Sequence, residues 1–258
     1  MERSDFLVAL SDASRGANSF LNAQGRSWLA TIIAGQDEDA EEIDIDRVFE
    51  LLCYFKFLDT LTPHVQNLRL IPGDGRRTGY RFPYGPGNKE NFAFFRFQKD
   101  NRSYDICCGT ALTDRDGEKV HPDISLQRGT WNSTADKSVG QVIAIWDGKF
   151  HESRFSKDDL YQMNWWTDVL NLPAYAAADI LTQLFPEELQ ASAVITNAAS
   201  ADVNVKQLLR KRFSIIFNFS TVDQVTLPTR AEHMANGPQP APPAEPVNIR
   251  EFIESLND

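Results

Sequence analysis

One segment in the first half of the chain is apolar almost all the way round a helical wheel. Residues 45–61 therefore predict a helix that is covered on several sides. Within residues 48–55 the single charged residue is Glu50. Its carboxylate either lies on a narrow solvent-facing stripe with Asp46 and Arg47 or points into a site, and spacing alone slightly favours the stripe.

Shorter runs of β-type residues follow this helix. They predict strands over residues 91–97, 104–112, 122–126 and 141–150. The last run is apolar on both faces as far as Trp146, which is typical of a central strand. Ser156 and Asp159 then form a capping-box-like start for a helix. A further helix over residues 173–190 and strands over 193–197 and 212–220 complete the pattern.

This order of elements predicts an α/β fold, a mixed sheet flanked by helices. We expect it to occupy residues 45–235, after an N-terminal lead-in of residues 1–44 that holds a helix near residues 27–34 and an acidic, solvated run. Five prolines in residues 236–246 indicate an extended linker. Residues 247–258 carry an apolar stripe too short for a stable helix alone, so we expect a contact with a second copy or a protein partner; docking on the chain's own core is the alternative.

The charge of the chain limits how it can bind nucleic acid. A net charge of −10 over 258 residues excludes coating of nucleic acid through bulk charge, but not a local basic patch. The segment from Arg69 to Lys89 is rich in Gly and Pro and is not expected to form a regular element. Its basic residues are interleaved with aromatic rings, so it is a candidate for phosphate and base contacts, although a solvated loop is equally favoured. The basic residues are Arg69, Arg76, Arg77, Arg81 and Lys89.

Composition also bears on the compartment. The three cysteines are odd in number, and two are adjacent in an apolar run, so core thiols are expected rather than a disulfide framework. No stretch approaches the roughly 20 apolar residues that span a bilayer, and the N-terminus lacks a signal-peptide pattern. We therefore expect a cytoplasmic protein with no membrane partner.

The candidate chemistry lies in Pro122-Asp123 and, 24 positions later, Asp147-Gly148-Lys149. Side chains alternate along a strand, so Asp147 and Lys149 project to the same face, and Gly148 leaves its carbonyl accessible. If the strand bearing Asp123 pairs alongside, two carboxylates and one ammonium meet. Carboxylate, carbonyl and water oxygens suit Mg²⁺. A nearby lysine can position or deprotonate water for metal-dependent phosphodiester hydrolysis.

These residues resemble the PD-(D/E)XK nuclease superfamily, in particular its restriction-type and McrC-like members. The resemblance implies a core of helix, three strands, helix and strand, with Asp123, Asp147 and Lys149 as motif residues. Glu50 resembles the first-helix acid that supports the metal, and Gln162, in DDLYQMNWW, matches a glutamine that contacts the site or the substrate. The implied function is a Mg²⁺- or Mn²⁺-dependent DNA endonuclease in restriction or anti-phage defence. The sequence departs from the commoner pattern by having Asp followed by Gly before the lysine.

Two other functions remain open at this point. One is a catalytically silent nuclease fold that serves as a scaffold or interaction subunit, which the net charge and the tethered C-terminal segment favour. The other is a hydrolase of a small phosphate ester, which would have a closed pocket in place of an open groove.

Overall fold

The computed structural model describes residues 3–21, 23–36, 42–71, 89, 92–129, 140–150, 157–172, 179–186, 189–198 and 215–216. The α-helices in these ranges are α1 Arg3–Ser14, α2 Ala23–Ile33, α3 Ile45–Leu61, α4 Lys157–Val169 and α5 Asp179–Leu184. The strands are β1 Gln66–Ile71, β2 Phe94–Lys99, β3 Arg102–Cys108, β4 Leu112–Thr113, β5 Lys119–Val120, β6 Ile124–Arg128, β7 Val142–Lys149, β8 Ala193–Thr196 and β9 Ile215–Ile216.

Seven of the described strands form one mixed sheet, which confirms the predicted α/β class. Their order is β1-β2-β3-β6-β7-β8-β9, while β4 and β5 form a separate pair. Neighbours from β1 to β7 are antiparallel, and β7, β8 and β9 are parallel. The chain returns from β7 to the parallel strand β8 through α4 and α5, because parallel neighbours need a long crossover. The apolar run of β7 is indeed central, between β6 and β8.

Helix α3 lies between the sheet and α1, which explains why it is apolar on nearly every side. Its bounds are those predicted from the sequence. On the sheet side, the Phe57 and Trp146 rings lie 4.8 Å apart. On the other side, the rings of Phe49 and Phe6 of α1 meet edge to face at 5.8 Å. Residues of α1 and α2 therefore share one hydrophobic core with α3 and the sheet.

Helix α4 packs on the opposite face of β7 and β8. Ile145 and Val194 belong to the cluster under this helix, whereas their neighbours Trp146 and Ile195 belong to the cluster under α3. This alternation follows from the two-residue repeat of a strand. Trp166 is buried in the α4 cluster, while Trp165 is 48% exposed.

Several predicted boundaries differ from the structure. Arg69 was expected to begin an irregular segment, but it lies in β1, which continues to Ile71. The predicted strand at 122–126 begins only at Ile124, so Asp123 precedes the strand. The expected helix over 173–190 contains α5, and the strand over 212–220 contains β9. Residues 217–258, with the expected linker and tail, lie outside the described residues.

Among the described helices, none combines the length and the apolar composition needed to cross a bilayer.

Candidate active site

The end of β7 places an aspartate and a lysine side by side. Asp147 and Lys149 are two residues apart on the strand, so their side chains project to the same side. The Lys149 ammonium lies 2.8 Å from Oδ2 of Asp147. Asp147 is fully buried, whereas the Lys149 side chain is 27% exposed. The lysine thus reaches from solvent to a carboxylate that has no solvent contact of its own.

Asp123, which directly precedes the neighbouring strand β6, lies beside this pair. Pairing of Ile124 with Trp146 brings the start of β6 beside the end of β7. The carbonyl oxygen of Asp123 accepts a hydrogen bond from the Gly109 amide at 2.7 Å, which fixes the backbone at this point. Its carboxylate oxygen Oδ2 accepts a hydrogen bond from the Gly148 amide, also at 2.7 Å. The two carboxylates predicted to meet are therefore brought together.

Gly148 brings its α-carbon close to α3. A methyl group at this position would lie 3.5 Å from Asp123 Oδ2, 3.7 Å from a ring carbon of Phe49 and 3.8 Å from the Cys53 sulfur. These are ordinary van der Waals distances. An alanine side chain would therefore fit at position 148, so space alone does not require the glycine that departs from the commoner motif. The role of the Gly148 carbonyl as a metal ligand stays a prediction.

Glu50 approaches the cluster from α3. Its Oε2 lies 2.5 Å from Nη1 of Arg47, and both side chains are partly buried. The pKa of Glu50 is raised chiefly by burial, against the lowering effect of the Arg47 charge, and the charges of Lys149 and Asp147 also act on it. Glu50 thus pairs with its stripe neighbour Arg47 and also belongs to the electrostatic environment of the site.

The carboxylates of the site hold protons more tightly than isolated carboxylates do. Burial raises the pKa of Asp123 well above its usual value, and the charges of Asp147 and Glu50 add to this effect. Burial also raises the pKa of Asp147, although the Lys149 charge opposes it. For Lys149, burial favours the neutral amine, but the charges of Asp147 and Asp123 outweigh burial and raise its pKa. Clustered acids with raised pKa values are typical of functional sites.

The carboxylate of Asp147 has capacity to bind a cation. Neither of its buried oxygens accepts a hydrogen bond of good geometry from the described residues, and the ion pair with Lys149 engages Oδ2 alone. Lys149 offsets part of the cost of burying this charge, and a cation beside the carboxylate would offset more of it. The described residues contain no group of three His, Cys, Asp or Glu side chains close enough to cage a metal. Mg²⁺ is commonly held by one or two carboxylates and several waters, so Asp123 and Asp147 fit this ion.

The other residues of the predicted site lie elsewhere or add to it. Gln162 is exposed on α4, and its expected contact with the site or the substrate stays a prediction. Asp159, in the first turn of α4, was expected only as a helix cap. Its charge acts on both Asp147 and Lys149. The spacing of the motif residues predicts neither the effect of Asp159 on this site nor the ion pair between Arg47 and Glu50.

The predicted basic segment is only partly described. Arg69 is exposed on β1, while Arg76, Arg77 and Arg81 lie outside the described residues. Lys89 needs correction as a nucleic-acid contact. It is 3% exposed, and its ammonium lies 2.6 Å from Oδ2 of the fully buried Asp105. This lysine neutralises a buried acid and is not available at the surface.

No protein-family model matches the chain, and no curated protein matches it.

Proposed function

We propose that the chain is a Mg²⁺- or Mn²⁺-dependent nuclease, most simply a DNA endonuclease. The observation that carries the proposal is the convergence of Asp123, Asp147 and Lys149 at the adjoining ends of β6 and β7. Placing a partly buried carboxylate beside a fully buried one destabilises a fold, so a compensating role in cation binding explains their presence here better than packing does.

The order of elements also supports the proposal. In chain order, α3 is followed by β1 to β7, α4, α5 and β8; when β1, β2, β4, β5 and α5 are treated as additions, the remaining order is α3, the antiparallel strands β3, β6 and β7, α4 and β8. The PD-(D/E)XK superfamily, which the motif residues resemble, has the same order of helix, three strands, helix and strand.

The residues of the site have distinct roles in the proposed reaction. Asp123 and Asp147 would hold the cation, and Glu50 would support them from α3. The bound cation supplies a Lewis acid that stabilises charge on the scissile phosphate and acidifies its water. Because the pKa of Lys149 is raised, this residue is an ammonium at neutral pH. Lys149 is therefore suited to orient the attacking water or a phosphate oxygen by donating hydrogen bonds, rather than to remove a proton.

DNA is the proposed substrate, and the resemblance suggests a restriction or anti-phage setting. Exposed Arg69 and the arginines at 76, 77 and 81 are the proposed phosphate contacts. A cytoplasmic location is consistent with Cys53, Cys107 and Cys108, which are all free and buried.

A catalytically silent scaffold is the second candidate. It is favoured by the complete burial of Asp147, whose charge Lys149 already pairs. A silent domain of this kind binds neither Mg²⁺ nor Mn²⁺ at the cluster, so metal binding distinguishes it from the nuclease.

Cleavage of plasmid and single-stranded DNA with Mg²⁺ or Mn²⁺ tests the proposal. Asp147→Asn and Lys149→Met should each reduce the rate by at least about 100-fold, the scale on which one charged or hydrogen-bonding catalytic group acts. Matched controls are Asp168→Asn, on the exposed face of α4, and Lys119→Met, on β5; both should cleave at the parental rate. Equal rates in all four variants, or no metal-dependent cleavage by the parent, would contradict the proposal.

A further inference from the structure

A second polar region lies on the face of the sheet that points away from α3. There β1, β2 and β3 form a pocket of about 350 Å³, which we call the outer pocket. It is lined by Asn67, Leu68, Arg69, Arg96, Gln98 and Ser103. Phe95 and Phe97, the neighbours of Arg96 on β2, belong to the core under α3, so Arg96 projects from the opposite face.

Two of the residues that line this pocket are arginines at neighbouring positions on adjacent strands. Arg69 of β1 is the register partner of Arg96 of β2. The Cβ atoms of directly opposed residues in an antiparallel pair are roughly 4.5–5.5 Å apart, and like charges at this spacing destabilise the pair. Arg69 has no ion-pair partner among the described residues. A bound anion would remove the repulsion and use both charges.

The carboxylate of Asp105 fixes the position of the Arg96 guanidinium. Its Nε and Nη2 donate hydrogen bonds to the two carboxylate oxygens of Asp105, at 2.6 and 2.9 Å. This bidentate pair leaves the Nη1 edge of a fixed guanidinium for another acceptor. Lys89 also pairs with Asp105, so Lys89, Arg96 and Asp105 together carry a net charge of +1. Arg69 raises the total charge at the pocket to +2. Among the described residues, no carboxylate lines the pocket, although the chain as a whole carries −10.

The rim of the pocket is formed by an irregularity in β1. Between Gln66 and Arg69 the register with β2 shifts by one residue. Asn67 has φ 53°, a conformation that is uncommon outside glycine, and its side-chain amide donates a hydrogen bond to Gln98 Oε1 at 2.6 Å. Such bulges redirect side chains at sheet edges near functional sites. The bulge places amide groups of Asn67 and Gln98 beside the two arginines.

From this arrangement we infer that the outer pocket binds a phosphate group through Arg69 and Arg96, with Ser103, Asn67 and Gln98 as neutral hydrogen-bonding partners. The pocket lies three strands from β7 and near the opposite strand ends from Asp147. At strand spacings this is a separation of roughly 20 Å, so the phosphate is not the one cleaved at the carboxylate cluster. The inference does not depend on the proposed nuclease activity. The phosphate belongs either to a nucleic-acid backbone or to a free phosphate ester.

Binding of two probes to the full chain tests the inference. The first probe is inorganic phosphate, measured by calorimetric titration without metal. The second is a 20-base-pair DNA duplex, titrated at several salt concentrations. The variants are Arg69→Ala, at an exposed strand-edge position that tolerates truncation, and Arg115→Ala, which removes an equal charge from a turn residue whose side chain is 60% exposed. Arg96→Lys retains the charge but removes the bidentate hydrogen bonds, and circular dichroism confirms folding of each variant.

Arg69→Ala should weaken phosphate binding at least fivefold, Arg96→Lys should weaken it similarly, and Arg115→Ala should leave it unchanged. If the phosphate belongs to a nucleic acid, Arg69→Ala should also reduce the log–log salt slope of duplex binding by about 0.9 relative to Arg115→Ala. A lower phosphate affinity with an unchanged slope identifies a free phosphate ester as the ligand. Equal affinities and slopes for Arg69→Ala and Arg115→Ala would overturn the inference.

Discussion

Replacing Asp123 with asparagine should make the metal-free protein more stable, although it destroys the proposed metal site. The Gly148 amide donates to Asp123 Oδ2 at 2.7 Å, and an asparagine amide oxygen can accept the same bond. The substitution therefore removes a partly buried, ionisable carboxyl group beside Asp147 and Glu50 while preserving the local geometry. At pH 7 the free energy of unfolding should rise by about 1–3 kcal/mol, the usual cost of burying a polar group without full compensation.

The effect should depend on pH with a definite sign. The pKa of Asp123 in the folded chain is raised well above its usual value of 3.8, chiefly by burial. The folded state therefore keeps this proton to a higher pH than the unfolded state does. The stabilising contribution of the Asp123 proton is complete below the pKa that Asp123 has in the unfolded chain, and it is lost as the pH rises through the pKa that Asp123 has in the folded chain. Asparagine does not titrate, so the advantage of Asp123→Asn should be largest near pH 8 and should vanish near pH 4.

Urea unfolding followed by circular dichroism in EDTA, at several pH values, measures this difference. Asp114→Asn is the matched control, because Asp114 is 2% exposed but its Oδ1 already accepts the amide hydrogens of Asp116 and Glu118. That variant should be no more stable than the parent at any pH. If Asp123→Asn is no more stable than the parent at pH 8, or if it is stabilised equally at pH 4 and pH 8, the reasoning that an ionised carboxylate at position 123 is uncompensated is refuted.

Three further variants address neighbouring claims. Lys89→Met should lower the free energy of unfolding by about 3 kcal/mol, because it breaks a buried ion pair, and should leave the salt slope of DNA binding unchanged; a lower slope with unchanged stability would restore Lys89 as a phosphate contact. Gly148→Ala should fold and retain cleavage, since its methyl group meets only ordinary contacts; loss of activity in a folded variant would contradict this geometry. Glu50→Gln should weaken Mn²⁺ binding less than Asp147→Asn does in calorimetric titration, because Glu50 already pairs with Arg47; an equal loss would make Glu50 a principal ligand.

The parts of the fold that were predictable are those encoded in local patterns. Helix α3 has the predicted bounds because apolar residues recur on nearly every side of it as far as Leu61, where the helix ends. The central position of β7 followed from its two apolar faces. The contact between Asp147 and Lys149 followed from strand alternation, which needs no knowledge of the rest of the chain.

The parts that were missed depend on contacts between residues distant in sequence. The burial of Lys89 depends on its ion pair with Asp105 of β3. Composition does not reveal this pair, and the sequence therefore predicts Lys89 as a surface contact for nucleic acid. The outer pocket depends on the register that sets Arg69 opposite Arg96, and on a bulge at Asn67. Helix α1 was not recognised because its buried positions are few and mixed with small polar residues.

Anomalous diffraction from a crystal of the full chain soaked in Mn²⁺ tests the central claim most directly. The account predicts a Mn²⁺ peak within coordination distance of the carboxylates of Asp123 and Asp147, roughly 2.0–2.3 Å, and its loss in crystals of Asp147→Asn. A saturating soak that leaves no peak at these two carboxylates, or a peak that persists unchanged in Asp147→Asn, would contradict it.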